Sequence, residues 1–294
     1  MSQILLITPL YNNLKDVLKF TKDYPDYKFC IVVNEKVENK KKIIELLKRE
    51  NNYLLFPGKN LGYMGAFQYA MKKLEFNNYS WIGLCNSDLE ITSDLKSIVT
   101  KAKDNVACIS GGDLVSTYRH FYSYNLSLFR GFREISWFSL RLIAYSISFL
   151  LGTDILGKRN LNNNTNKKSS YKEFPSTCSG CFMLFRKEFA SKISNIRNYF
   201  PFIYGEEYLI SRLIRNDRKL IWNPINLKIK HQGFQTTNIF SRKIIKYKIL
   251  ATIKIIYRII LDLKFLKYLT HKWSRNFLIR KFLLNHLFFL IGYL

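Results

Sequence analysis

Asp88 directly follows the apolar run Trp81–Cys85, in the order Cys85-Asn86-Ser87-Asp88. A carboxylate at the end of a buried strand projects above the sheet. One acid there, with substrate phosphate oxygens, suffices to recruit a hard divalent cation such as Mg²⁺ or Mn²⁺. Asn-Ser-Asp also makes an ordinary turn or helix cap. Glu206 and Glu207 follow the aromatic segment Tyr199-Phe200-Pro201-Phe202-Ile203-Tyr204. Two adjacent acids among large apolar residues repel each other and lose solvent, which raises one pKa and suits a general base. A helix N-terminus enriched in Glu is the plainer alternative. His231 closes the strand-like run Leu227–Lys230, as a structural histidine or as a ligand. In Asn60-Leu61-Gly62-Tyr63-Met64-Gly65 two glycines allow close backbone approach and a helix start favours an anion, although a tight turn needs the same residues. Cys178-Ser179-Gly180-Cys181 has the spacing of half a zinc or thiol site, with no second pair to complete it.

The elements that must position these groups show as a βαβα alternation over the first hundred residues. Gln3–Thr8, Tyr27–Val33, Tyr53–Phe56, Trp81–Cys85 and Val106–Ser110 read as buried strands. Leu14–Lys22, Lys40–Glu50, Tyr63–Leu74 and Leu95–Lys103 carry helical spacing of apolar residues. This order predicts a mostly parallel sheet with helices on both faces, and ligands beyond the carboxyl ends of its strands. The segments there are Pro9–Asn13, Asn34–Lys36, Pro57–Gly65 and Asn86–Asp88. The glycine segment has no Walker lysine-serine pair and no dinucleotide fingerprint, which counts against an NTPase or a nicotinamide enzyme. Pro9–Asn13 lacks the basic Gly-rich loop that a nucleotidyltransferase would place after its first strand.

Of the 294 residues 48% are hydrophobic, and 47 Lys and Arg face 21 Asp and Glu, for a net charge of +26. Such an excess points to a polyanion: nucleic acid, an anionic membrane or phosphate-bearing substrates. Its distribution favours the membrane over nucleic acid. The stretch 238–294 holds twelve Lys or Arg against one acid, Asp262. There Ile249, Ile253, Ile256, Ile260 and Leu263 fall on one helical face, with Lys254, Arg258 and Asp262 on another. A basic amphipathic helix of this kind lies at an anionic lipid surface, or else packs on the rest of the protein or on a second subunit as a homodimer. Ile135–Leu151 is marginal for a span, which needs about 20 residues, and reads as a buried or interfacial helix. The Asn-rich stretch 157–172 reads as a mobile loop. An odd count of five cysteines and a start without a signal-like lead-in predict a reducing, cytosolic setting.

Several segments follow one another in a telling order. Thr8-Pro9-Leu10-Tyr11-Asn12-Asn13 comes first, then Asn60-Leu61-Gly62-Tyr63 continuing to Gln68, then Asn86-Ser87-Asp88. After these come Ser179-Gly180-Cys181-Phe182-Met183-Leu184-Phe185-Arg186, Phe202-Ile203-Tyr204-Gly205-Glu206-Glu207 with Arg212, and His231-Gln232-Gly233. In this order, over roughly residues 1–237, the chain resembles family 2 glycosyltransferases of the GT-A fold. Within them it looks like the rhamnosyltransferase-like enzymes that build bacterial surface polysaccharides such as lipopolysaccharide.

The resemblance implies an α/β GT-A Rossmann-like, mostly parallel sheet over 1–237, with a variable insertion at 114–173 and a basic amphipathic helical tail at 238–294. It implies an inverting, metal-dependent transfer from a nucleoside-diphosphate sugar to a glycan or lipid-linked acceptor, by a peripheral protein on the cytoplasmic face of the inner membrane. Donor contacts would come from Thr8, Pro9, Tyr11, Asn12, Asn34, Asn60, Gly62, Tyr63, Gly65, Gln68, Asn86 and Ser87. Ser179, Gly180, Cys181 and Arg212 would lie on the acceptor side, Glu207 or Glu206 would be the base, and Asp88 and His231 would hold Mn²⁺ or Mg²⁺. Three positions depart from the family pattern. Asn34 replaces the acid that touches the base, Asn86 leaves Asp88 as the one acid of its motif, and Glu206-Glu207 with Leu209 replaces a Glu-Asp pair and a further Asp. The competing expectation is a basic membrane-binding protein with a degenerate, inactive transferase domain.

Overall fold

Runs such as Ile4-Leu5-Leu6-Ile7 and Phe29-Cys30-Ile31-Val32-Val33 are apolar at every position because both of their faces are covered, as parallel strands require. The computed structural model describes residues 3–37, 40–48, 52–110, 128–152, 173–175, 177–196, 199–202, 204–231 and 242–262. Within them the strands are β1 (Ile4–Leu10), β2 (Lys28–Val33), β3 (Asn52–Leu55), β4 (Trp81–Cys85), β5 (Leu89–Ile91), β6 (Val106–Ile109), β7 (Phe182–Arg186), β8 (Leu220–Trp222) and β9 (Ile229–His231). The helices are α1 (Leu14–Asp23), α2 (Lys40–Leu47), α3 (Tyr63–Lys73), α4 (Leu95–Thr100), α5 (Leu128–Leu151), α6 (Lys187–Asn195), α7 (Glu206–Asn216) and α8 (Arg242–Asp262).

The main sheet has seven strands in the order β3-β2-β1-β4-β7-β6-β8, and β5 pairs with β9 in a separate ribbon. All pairings in the main sheet are parallel except those of β7, which runs antiparallel between β4 and β6. The fold is therefore α/β and Rossmann-like, with a mostly parallel sheet flanked by helices. Alternate residues of β1 serve opposite faces. Ile4, Leu6 and Leu10 join Val17 and Phe20 of α1, Ile43 and Leu47 of α2, and Leu95 and Ile98 of α4. On the other face Phe67 of α3 meets Phe185 of β7 edge-on at 5.6 Å, and Phe185 contacts Phe189 of α6 at 5.9 Å.

Among the expected strand boundaries, the end of β1 shifts most. β1 continues through Pro9 and Leu10, which pair with Val32 and Val33. A proline is tolerated in this inner strand because pairing with β4 has already stopped at Ile7.

Contacts divide the chain into two units, 1–124 with 168–235 and 125–167 with 236–294. The first holds both sheets. In the second, α5 packs against α8 through Tyr145, Ile245 and Ile249, with Leu142, Phe149 and Ile253 beside them. The buried line on α8 is Ile245, Ile249, Thr252, Ile255 and Ile259. Ile249 of the expected line lies on it and Ile253 packs beside it, whereas Ile256 and Ile260 are half-buried and Leu263 lies outside the described residues. The expected loop at 157–172, the tail beyond 262, and Gln232 and Gly233 lie outside the described residues.

Candidate active site

The carboxyl ends of β1, β2 and β4 and the start of the reversed strand β7 share one edge of the sheet. Cys85 ends β4 opposite Phe182, and the Asn86 amide donates to the Cys181 carbonyl at 2.9 Å. The β5–β9 ribbon sets Leu89 opposite His231. Residues 88 and 231, far apart in sequence, are thereby forced together. His231 Nε2 lies 3.1 Å from Asp88 Oδ1 and 3.4 Å from the Asn86 side-chain nitrogen. Its Nδ1 lies 3.6 Å from Cys181 Sγ, so both ring nitrogens are engaged and the ring plane is fixed. The hydrogen bond to Asp88, then that to Cys181, lifts the imidazole to about 10 against the opposing effect of burial. The raised pKa favours the protonated ring of His231 near neutral pH.

Asn13 of the β1 loop donates its amide to Ser87 Oγ at 2.8 Å, and the Asn12 backbone amide donates to Glu35 at 3.2 Å. Asn12 takes a left-handed φ of 55°, a conformation that Asn tolerates. Asn34, 3% exposed, holds the glycine loop with its whole amide group. It donates to Asn60 Oδ1 at 3.1 Å and the Gly62 carbonyl at 3.2 Å, and accepts from the Leu61 amide at 2.7 Å. Gly62 has φ of 74°, and a Cβ there would sit 2.0 Å from the Phe202 carbonyl oxygen, so only glycine fits. The Tyr63 amide donates to that same carbonyl at 3.3 Å, tying the loop to the approach of α7.

Tyr204 and Gly205 both have positive φ, at 68° and 78°, which turns the chain sharply into α7. A bulky residue in this region costs about 1–3 kcal/mol and persists only where its surroundings impose it. The turn delivers Glu206 and Glu207 beside Gly180, where an added Cβ would lie 3.6 Å from Glu207 Oε2 and 3.8 Å from Glu206 Oε1. Glu206 keeps some exposed surface as a residue, but its Oε2 is enclosed and has no hydrogen-bond partner. The state of that carboxyl follows its enclosed oxygen. Burial first, and the Glu207 charge second, push it up to about 8, so Glu206 is held as the neutral acid near pH 7. The Tyr63 hydroxyl is likewise enclosed without a partner, and burial with the nearby Cys85, Cys181, Glu206 and Asp88 raises it well above the usual phenol range. Two buried polar atoms near Asp88 and the paired glutamates are thus left without a hydrogen-bond partner.

Comparison with known proteins adds little to this geometry. No family model matches the chain, and no curated protein matches it. Among solved structures, HddC from Yersinia pseudotuberculosis is 11% identical, with 65% of this chain and 80% of that one covered at a TM-score of 0.34. The apo structure of the bifunctional glycosyltransferase WbbM is 9% identical, with 87% of this chain covered at a TM-score of 0.32. The match covers 51% of WbbM, about half its length.

The expected site residues divide into two groups. Tyr11, Asn12, Asn60, Gly62, Tyr63, Asn86, Ser87, Asp88, Gly180, Cys181, Glu206, Glu207 and His231 lie on or beside this edge of the sheet. Others serve the fold itself. Thr8 is fully buried, with Oγ1 3.3 Å from Cys85 Sγ, and Pro9 is a strand residue. Gln68 donates to the Ile193 and Ile196 carbonyls at 2.9 and 3.0 Å, joining α3 to the end of α6. Gly65 lies inside α3 against Leu61. Ser179 is 5% exposed, and its amide donates to Ser110 Oγ at 2.7 Å. Arg212 is 1% exposed, with Nη1 3.4 Å from the Tyr208 hydroxyl. Glu35 and Asn13 were not among the expected site residues. Their signal was adjacency: each sits two or three positions past a strand end.

Among the described residues no three His, Cys, Asp or Glu side chains converge as a metal site. Asp88, with His231 Nε2 once the imidazolium has lost its proton, would supply two donors side by side for a cation completed by diphosphate and water oxygens. A surface cavity of about 420 Å³ is lined by Val106, Arg186, Lys192 and Asp217. It sits at the opposite end of β6 and β7 and shares no residue with the Asp88 cluster.

Proposed function

We propose that the chain is a glycosyltransferase that moves a sugar, with inversion, from a nucleoside-diphosphate donor to a hydroxyl of a glycan or lipid-linked glycan. The observation that carries the reading is the convergence, at one strand edge, of the Asp88–His231 pair, the Asn60–Gly62 loop and the enclosed Glu206-Glu207 pair. Two adjacent carboxylates in different surroundings can divide their roles. Glu206 keeps its proton and can donate a hydrogen bond. Glu207 is the base: it takes the proton of the acceptor hydroxyl while that oxygen bonds to the anomeric carbon. The bond from that carbon to the diphosphate breaks, and its electron pair leaves on the diphosphate. Asp88, and His231 once it gives up its proton, are the residues that would hold a Mn²⁺ or Mg²⁺ ion, which when bound neutralises the leaving diphosphate. The imidazolium of His231 offers the same region positive charge before then.

The acceptor reading goes with a place at the cytoplasmic face of an anionic membrane, supported by the basic tail. The test is donor hydrolysis and transfer across UDP-, GDP- and dTDP-sugars with Mn²⁺ or Mg²⁺, for the wild type and for Glu207→Gln and Asp88→Asn. Full activity in both variants sinks the assignment. A second reading, a membrane-binding protein with an inactive domain, is favoured by Asn86 and by the two-donor limit at Asp88. It would show no thermal shift with any nucleoside diphosphate and Mn²⁺, together with retained vesicle binding.

A further inference from the structure

Helix α5 buries one side and exposes the other, and the exposed side is aliphatic. Phe138, Tyr145 and Ser148 are buried at 1%, 8% and 0% exposure, while Leu140, Ile143, Leu150 and Leu151 stand 66%, 56%, 76% and 66% exposed, with Ile147 at 43%. The spacing 140, 143, 147, 150 and 151 is that of one continuous helical stripe. A contiguous apolar patch of this kind, on the order of several hundred Å², marks an interaction surface. The segment Glu134–Leu151 is long and apolar enough to cross a membrane by length and composition, and 22% of it is buried. Its other side packs on the Ile245 and Ile249 side of α8, and Glu134 on it is 4% exposed. The helix is therefore apolar to its surroundings on one side only, the pattern of a helix lying in an interface.

We infer that this stripe is the lipid-contacting surface of the α5–α8 unit and seats it on an anionic bilayer. The inference deepens the membrane part of the proposed function, and it rests on this unit alone. Charge selects the occupant. The sequences of α5 and α8 hold nine Lys or Arg against Glu134 and Asp262. Lys243 and Lys246 are exposed on α8. On α5 Arg141 lies 4.4 Å above the Trp137 ring and 5.9 Å from the Tyr145 ring, on the packed side of the helix, so the stripe itself carries no charge. A protein partner recognised through a hot spot would be met by aromatic anchors and pockets. This stripe offers a row of aliphatic tips, which suits fluid acyl chains.

The test uses the full chain and phosphatidylcholine vesicles with and without about 30% phosphatidylglycerol. The wild type is expected to sediment with the anionic vesicles and to be released by high salt. A variant carrying Leu140→Gln, Ile143→Gln, Ile147→Gln and Leu150→Gln is expected to lose vesicle partitioning on the order of 100-fold with an unchanged circular dichroism spectrum. In Ile147→Trp the new indole should shift to the blue and be quenched by brominated lipid, a readout that survives if the fourfold variant misfolds. Vesicle binding equal to wild type in the fourfold variant, or an unquenched Trp in bound protein, overturns the inference. So does a dimer that the variant makes monomeric without changing lipid binding, which would assign the stripe to a second copy. Capture of the stripe by residues 263–294 would appear as vesicle binding that rises when they are removed, and also overturns it. Absence of wild-type binding sinks the whole membrane reading, whereas donor hydrolysis in the same samples reports on the Asp88 site separately.

Discussion

The enclosed carboxyl of Glu206 should make this protein lose stability as the medium turns alkaline, and Glu206→Gln should remove that loss. Its Oε2 has no partner, and burial with the Glu207 charge lifts the group from 4.5 to about 8. A displacement of that size corresponds to roughly 5 kcal/mol held against the ionised form in the folded state, at about 1.4 kcal/mol per unit. The sign follows from proton counts. Between about pH 4.5 and 8 the folded protein holds a proton that the unfolded chain has released, so stability falls as pH rises across that window. Below it both states are protonated and the contribution is fully present; above it the loss is complete. The glutamine introduced by the substitution would be neutral throughout, and its amide would fill the same space. Urea unfolding of both proteins at about pH 6 and about pH 9 isolates the effect, because every other titrating group is shared. The wild type is expected to lose roughly 2.5 kcal/mol more than the variant between the two conditions. An identical pH dependence would refute the claim that this carboxyl is kept neutral by its surroundings.

Gly62→Ala should lower stability by at least about 3 kcal/mol, because its Cβ would overlap the Phe202 carbonyl at a positive φ. Gly58→Ala shares the positive φ but meets nothing within 4 Å, so about 1 kcal/mol is expected, and equal losses in a melting series would contradict the steric argument. Asn34→Asp turns two donated hydrogen bonds into oxygen–oxygen contacts at the Asn60 and Gly62 oxygens, and should cost about 2–4 kcal/mol by chemical denaturation. Asp88→Asn removes the first cause of the raised His231 imidazole, so NMR titration of that ring should show its pKa dropping from about 10 toward the ordinary histidine range. An unchanged ring titration would mean that Cys181 and not Asp88 sets its charge.

β1, β2 and β4 were legible because each is a largely apolar run bounded by polar turns, and burial on both faces leaves that mark, while β3 at the sheet edge has no buried residue. Of the second half, β6 was legible in the same way and the run Leu227–Lys230 pointed to β9, whereas the rest was not legible. β7 is five residues set between partners whose contact depends on chain far away, and β8 and β5 have three residues each, too few for a period. Asp88 was placed correctly above the sheet from its strand alone. Its pairing with His231 depends on the β5–β9 register, which no local pattern encodes. Asn34 shows the opposite failure. Its position after β2 marked it for a ligand, but an amide can donate and accept at once, and here it uses both capacities to hold Asn60, Leu61 and Gly62.

The antiparallel placement of β7 also sets an order of assembly. β3, β2, β1 and β4 are closed by short helical crossovers and can pair as soon as residues up to 85 exist. The free edge of β4 must then wait for residues 182–186, and β6 and β8 can join the same sheet only through that strand. During synthesis the growing chain thus carries an unpaired, fully apolar strand edge for nearly a hundred residues, the kind of exposure that invites pairing with other chains. Asn86 and Cys181 meet when that edge is capped. The Asp88 cluster and the closure of the sheet are one event, so a nascent or truncated chain lacking β7 would have neither.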